Sequence, residues 1–299
     1  MKKRGKLVRK VGSLLTAAAV GLSAVSLPVF AAQTVAGGGG AGGNIMNVVA
    51  FNGAEGGGMY SQGARGAYNN GGEIEVYHVT NLNDSGEGSF RDAVSKGNRI
   101  VVFDVSGYID LKSNVSISHD NMAILGQTAP GDGICFRSNN VKVGADNVIL
   151  RYLRFRVGAH DAEGKDTRAQ DGMEITDDCE NVIIDHCSVS WGTDENLSAY
   201  AVKNVTIQRS IIAEALNQSV HDKGEHSYAA IWGGVNLSIH HNLIASHKSR
   251  NPKIGTSETV AMTQGYTDDQ TLVDMKNNVI YNWGDKAGYG TENGAKTYI

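Results

Sequence analysis

Between Asp171 and Gly255 the chain sets out acids, then a lysine, then an arginine, each where a short apolar run begins or ends. Asp171 precedes Gly-Met-Glu-Ile. Asp194-Glu195 follow the run Val182-Ile-Ile-Asp185-His186-Cys187-Ser188-Val-Ser190-Trp191-Gly-Thr. Lys223-Gly224 follow His221-Asp222, and Arg250-Asn251-Pro252-Lys253 come last. Hard carboxylate oxygens suit a cation such as calcium. Lysine and arginine suit an anionic ligand. Together they describe a site that holds a metal, grips an acidic substrate and moves a proton beside it.

Such residues need a scaffold, and a weak repeat supplies one. Asn121-Met-Ala-Ile-Leu, Asn147-Val-Ile-Leu-Arg, Asn181-Val-Ile-Ile-Asp, Asn204-Val-Thr-Ile-Gln and Asn236-Leu-Ser-Ile-His share a pattern, with asparagines 26, 34, 23 and 32 residues apart. After each asparagine, apolar and polar residues alternate with the period of a half-buried strand. A second short strand often follows, as in Leu153–Val157, Cys187–Val189 and Ile211–Ala213. Asparagine suits the bends because it tolerates left-handed backbone angles. Short strands at a period in the twenties, without strong helices between them, indicate a parallel β-helix. A β-sandwich would need regular hairpin turns, and few are present. The spacing above the minimum is inserted loop, at Asp161–Gln170 and His221–Tyr228, on what is expected to be the binding face. Upstream, Ser89 is placed to cap a short helix with Asp92 in its first turn, closing the N-terminal end of the coil.

The bulk numbers agree. The chain has 299 residues, 41% hydrophobic and 19% charged, enough for one large core. Its net charge of -4 gives no reason to expect a nucleic-acid partner. Lys2, Lys3, Arg4, Lys6, Arg9 and Lys10 precede an apolar run from Val11 to Phe30, then Ala31-Ala32. Residues 1–32 therefore read as a cleaved export signal rather than an anchor. Residues 33–46 form a Gly-rich flexible segment, and 47–299 the β-helix. After cleavage no stable membrane association is expected, and the chain reads as a secreted monomer. Asn277–Asn282 looks like one more rung, and no capping helix is legible before Ile299, as in a C-terminally truncated coil. Cys135, Cys179 and Cys187 give no disulfide framework or metal-ligand spacing; Cys187 reads as a buried thiol.

Asp185-His186-Cys187-Ser188 after Val-Ile-Ile resembles the strand motif of the family 1 pectate lyases. Arg250-Asn-Pro252 resembles the start of that family's Arg-x-Pro-x-x-Arg motif, with Asp171, Asp194 and Lys223 in matching order. The resemblance covers about residues 47 to 299. It implies an all-β, right-handed, single-stranded parallel β-helix. It also implies a secreted, calcium-dependent lyase that cleaves polygalacturonate by β-elimination. Removing the proton beside a uronate carboxylate builds charge on its oxygens, and a calcium ion there stabilises that charge. By the same resemblance Asp171 and Asp194 are calcium ligands, Arg250 is the base and Lys223 holds substrate.

Two departures matter. Ser190 stands where the family often has a further acid, for which Glu195 is the substitute. Gly255 stands where the second arginine falls, leaving Lys253 to supply a substrate-carboxylate contact. Arginine is ordinarily protonated, so the base role calls for neighbouring cations and desolvation to lower its pKa. Gly224 would allow close backbone approach beside Lys223. Asp185-His186 and His240-His241 are expected to make internal hydrogen bonds rather than catalytic dyads, since adjacent strand residues face opposite ways. His221 and His226 receive no assignment. Two other classes fit less well. A polygalacturonase-type hydrolase would use paired carboxylates such as those near Thr176-Asp177-Asp178, but lacks its expected motifs. A β-helix that only binds polysaccharide would not need the ordered Asp, Lys and Arg set.

Overall fold

The computed structural model describes residues 48–161, 164–166, 169–176, 178–255, 272–292 and 296–299. The export signal and the Gly-rich segment lie outside the described residues. Residues Asn44–Ile299 group as one compact unit, and it is this unit whose fold follows.

The alternation seen in the sequence becomes parallel strands stacked in register. A 7-stranded sheet runs from Gly107–Asp110 through Leu153–Arg156 and Ile211–Ala213 to Val279–Tyr281. A 14-stranded sheet has two limbs. The first limb includes Glu75–Val79, Met122–Leu125, Val148–Arg151 and Glu180–Asp185. The second includes Val115–Ile117, Val141–Val143, Met173–Ile175 and Lys253–Gly255. The long strands Leu197–Gln208 and Ile231–His240 belong to both, because their two halves pair with different neighbours. Each coil of chain passes from the 7-stranded sheet to the second limb, to the first limb and back. This is the parallel β-helix expected from the repeat; the pairings between named strands are parallel, as a sandwich of hairpins would not be.

The asparagines do what their chemistry suggests. Asn121, Asn147, Asn181, Asn204 and Asn236 turn the chain from second to first limb with φ of 65°, 57°, 61°, 51° and 59°. Their amides also stack. Asn121 Nδ2 donates to Asn98 Oδ1 at 2.9 Å, and Asn236 Nδ2 to Asn204 Oδ1 at 2.9 Å. A second, inner ladder runs along the bend from the first limb to the 7-stranded sheet. Asn242 Oδ1 accepts from Ser210 N at 2.8 Å, while Asn242 Nδ2 donates to Ile207 O at 2.9 Å. Asn278 repeats this one rung on, accepting from Asn242 N and donating to Ile239 O. These side chains satisfy backbone groups that the bend would otherwise bury unpaired.

The core is a column of like residues from successive rungs. Phe136 and Phe155 stack at 5.5 Å, and Phe90 meets Phe136 at 4.4 Å. Phe90 belongs to the short helix Phe90–Ala93, whose N-cap Ser89 accepts from Asp92 N. The helix thus covers the N-terminal end of the apolar column, as expected. The three cysteines are free and buried. The segment near Gly57 and Gly58 crosses the outside of the first limb, donating to Ser238 Oγ and Thr206 Oγ1. A Cβ on Gly58 would stand 2.3 Å from Val182 O, so only glycine fits there.

The inner ladder should matter more to stability than the outer one. Asn242→Ala strands a buried N–H and a buried carbonyl, a cost of about 1–3 kcal/mol each. Exposed Asn236→Gly keeps the left-handed bend accessible and should cost under about 1 kcal/mol. Urea denaturation of the two variants measures the contrast; equal midpoints would refute it.

Candidate functional site

The long insertions both fall on the bend from the 7-stranded sheet to the second limb, and so do the residues singled out above. Asp171 precedes the strand Met173–Ile175, Asp194-Glu195 precede Leu197–Gln208, and Arg250 precedes Lys253–Gly255. Parallel bridges pair Glu195 with Tyr228 and Tyr228 with Ser249, so these positions lie above one another in successive rungs. Register alone brings together residues 24 to 55 apart in sequence.

Asp171, Asp194 and Glu195 offer oxygens that all lie within 4.8 Å of one another. Asp171 Oδ1 accepts from Glu195 N at 3.3 Å. Burial raises the Asp171 carboxyl well above the usual range, and the charges of Glu195, Glu174 and Asp194 raise it further. Glu195, 4% exposed, is pushed up to about 7 by burial and then by Asp194, against the opposing pull of Arg250. Ser190 sits buried in the 7-stranded sheet, in register with Arg156. It is Glu195 that supplies the third carboxylate of the cluster.

Arg250 has φ of 55° and sends its guanidinium back across Tyr228 to an ion pair with Glu195. Burial lowers its pKa, but Glu195 and Tyr289 outweigh burial and hold the guanidinium above its ordinary value. Desolvation thus acts in the expected direction; what differs is that the charged neighbour is a carboxylate rather than a lysine, which reverses the net effect in the cation-free protein. Lys248 pairs with Glu225 at 2.8 Å.

Lys253 pairs in register with Ile231, whose N–H donates to Ser198 Oγ, and Ser198 continues the row through Glu174 to Lys142. Part of this row floors a cavity of about 480 Å³ that also takes in Asp171, Glu195 and Tyr200. Lys223 stands apart from the cluster. It is exposed on its loop, and its backbone N–H donates to His221 Nδ1 at 3.0 Å. Gly224 has φ of 83° with open space where a Cβ would be, so it serves a left-handed turn rather than close approach.

Sequence reasoning left three neighbours unassigned. His221 Nε2 and His226 Nε2 lie 3.3 and 3.5 Å from the Asp194 carboxylate. The Tyr228 ring centre lies 4.3 Å from the Arg250 guanidinium carbon. The usable signal for Tyr228 was its rung position, one coil beyond Glu195. The members of the two adjacent pairs contact each other rather than facing opposite ways, because His186 and His241 leave the strand with φ of 53° and 57°. Asp185, fully buried, accepts from Arg151 Nε at 2.7 Å and lies 2.8 Å from His186 Nδ1. His240 and His241 share a 2.9 Å contact between their Nδ1 atoms. Of the pair near Thr176, Asp177 lies outside the described residues, and exposed Asp178 turns the bend between the limbs.

The raised carboxyls predict a pH dependence for the cation-free protein. Asp171 and Glu195 bind protons more tightly folded than unfolded. Their contribution to stability is complete below the unfolded carboxylate range and is lost as pH rises through their raised folded values, about 7 for Glu195. The thermal midpoint without divalent cation should therefore fall from about pH 5 to about pH 8, and Glu195→Gln should flatten the fall. A midpoint that rises over that range in both proteins would contradict it.

Comparison with known proteins finds no matching family model. The chain is 45% identical over 248 residues to a probable pectate lyase C of Aspergillus flavus, covering 81% of this chain and 50% of that protein. Against the probable pectate lyase C of Emericella nidulans it is 42% identical over 248 residues, with the same coverage. The chain thus spans about half the length of these relatives. Among solved structures, jun a 1, the major allergen from cedar pollen, superposes with a TM-score of 0.53 at 14% identity, over 81% of this chain and 82% of that one. That likeness concerns the fold alone. On the sequence match, carried by a β-helix with its acids and arginine on one bend, the chain belongs to the pectate lyase family.

Proposed function

We propose that the protein is a secreted, calcium-dependent pectate lyase that cleaves polygalacturonate by β-elimination. One observation carries this: three carboxylates and a guanidinium converge on one bend, and two of those carboxylates, Asp171 and Glu195, line the cleft on the second limb. The names of its relatives in Aspergillus flavus and Emericella nidulans support it. Among the described residues no helix is long and apolar enough to cross a membrane, and the N-terminal signal supports export.

The carboxylates fit calcium. Asp171, Asp194 and Glu195 are hard oxygen donors, and burial together with repulsion from the neighbouring acids disfavours the charged forms of Asp171 and Glu195. A divalent cation would relieve that repulsion, and calcium prefers several oxygen ligands. When bound, it supplies positive charge against the charge that develops on the uronate carboxylate.

The chain's own residues do the rest. Lys253, on the row that floors the cleft, offers a point charge to a neighbouring uronate. Lys223 extends from its exposed loop, where an arriving polyanion would meet it. Arg250 takes the C5 proton; the C5–H electrons form the C4–C5 double bond, and the C4–O4 bond breaks. The departing oxygen is protonated by solvent. Arg250 can accept a proton only from a neutral form, and the Glu195 carboxylate holds it charged. Its activity as a base therefore depends on Glu195 being engaged elsewhere.

Incubation with polygalacturonate, with and without calcium, tests the proposal. Ultraviolet absorbance from the new double bond, dependent on calcium, is the expected result. New reducing ends without absorbance would make the protein a hydrolase, and neither signal would make it a binder. Arg250→Lys and Arg250→Ala should both lose about 10²–10⁴-fold in turnover while substrate binding survives better. Asp194→Ala should lose activity that added calcium partly restores; a loss indifferent to calcium would mark Asp194 as structural.

A further inference from the structure

Between the Lys223 loop and Arg250 the structure holds a run of planar groups, each against the next. His221 and His226 lie ring on ring, with 3.5 Å between centroids and 16° between planes. His226 meets the Tyr228 ring at 4.6 Å and 47°. The Arg250 guanidinium carbon lies 4.3 Å from the centre of that same ring. Both histidines are 6% exposed, so the column is built into the bend rather than laid on it.

The nitrogens of His221 have fixed roles. Lys223 N–H donates to Nδ1 at 3.0 Å, which puts the proton of the neutral ring on Nε2. That Nε2 lies 3.3 Å from Asp194 Oδ2, although out of line for a full hydrogen bond. His226 takes the other side, with Nε2 3.5 Å from Asp194 Oδ1. One imidazole therefore faces each oxygen of a carboxylate in the cluster. Packing alone would be served as well by apolar rings.

At its far end the column meets a different need. The close ion-pair partner of Arg250 is Glu195, itself a member of the carboxylate cluster. Whenever Glu195 turns to a cation, the guanidinium loses that anchor. The Tyr289 side chain and the face of Tyr228 remain, and a ring face attracts a guanidinium by its quadrupole.

We propose that His221, His226 and Tyr228 form a positioning column. His221 orients Asp194 for the cation, and Tyr228, braced by His226, holds Arg250 in place for proton transfer. None of the three touches the reacting atoms. The Arg250 half rests on the lyase reading; the Asp194 half rests on cation binding alone.

Two pairs of measurements test it. Calcium affinity is read by calorimetry on substrate-free protein, and kcat and KM by absorbance on polygalacturonate. His221→Phe keeps the ring and loses the nitrogens; calcium Kd should rise about 10–100-fold, as for loss of a partner that orients a metal ligand. Tyr228→Leu removes the ring face; kcat should fall on the order of 10²-fold, as for a slightly misplaced catalytic group. Calcium Kd and KM should stay within about 3-fold in that variant, and Tyr228→Phe should recover most of the lost kcat. Unchanged calcium affinity in His221→Phe would overturn the first half. Wild-type kcat in Tyr228→Leu, or equal loss in Tyr228→Phe, would overturn the second. If Tyr228→Leu does not fold, Tyr228→Met is read in its place by the same criteria. Wild-type protein that yields no unsaturated product would end the lyase reading and with it the Arg250 half, while the calcium arm still decides the Asp194 half.

Discussion

In-register parallel pairing is the constraint on which this molecule depends. Strands of adjacent rungs stand about 4.7–4.9 Å apart, so whatever one rung places at a position, the next must accommodate directly above it. The core answers with columns of like residues, such as Phe136 and Phe155. The bends answer with residues that accept left-handed angles and whose amides can bond to their counterparts one rung away. The same rule collects the site. Asp171, Glu195, Tyr228 and Arg250 come from successive coils, and stacking gives them a common edge.

That edge is electrostatically costly. Three carboxylates share a small, partly buried volume, and two of them hold their protons above the ordinary range. A fold selected for stability alone would not put them there. Elsewhere the chain shows how a buried acid is stabilised. Asp185, wholly buried, has Arg151, Gln208 and His186 around it, and although burial pulls its carboxyl upward those donors bring it below the usual value. The contrast is between Asp185, whose charge the fold satisfies with donors, and Asp171, which it surrounds with acids; on the lyase reading a cation would relieve the second.

Much of this was legible in the sequence because it is periodic. The asparagine spacing announced the bends, and the longer intervals announced which bend carries the loops. Glu195 as the replacement for the acid missing at Ser190 could be guessed from its neighbour Asp194, and the structure puts it in the cluster. The inner ladder of Asn242 and Asn278 was not legible, because Ser210 and Cys187 occupy the preceding rungs and the repeat there is one of position, not of residue type. The environment of Arg250 was misread for a related reason. Lys248, Lys253 and Lys223 are near it in the sequence, or in expected order, and suggested a cation patch. Register instead sets Glu195 against it, from 55 residues away.

On the lyase reading Arg250 is a base that is normally a permanent cation, and Glu195 bears directly on how it could be one. A guanidinium gives up its proton only where its charged form is disfavoured. Burial acts in that direction, and Glu195 acts against it more strongly. Glu195 in turn has two claims on it, from Arg250 on one side and from the carboxylate cluster on the other. One carboxylate cannot neutralise both a guanidinium and a divalent cation in full. On the lyase reading, the cation and Arg250 therefore compete for Glu195. The balance between burial and ion pairing at Arg250 then shifts towards the neutral base only when the cation holds Glu195 and the substrate has displaced water from the cleft. On that reading, proton abstraction is linked to an occupied site through one shared carboxylate.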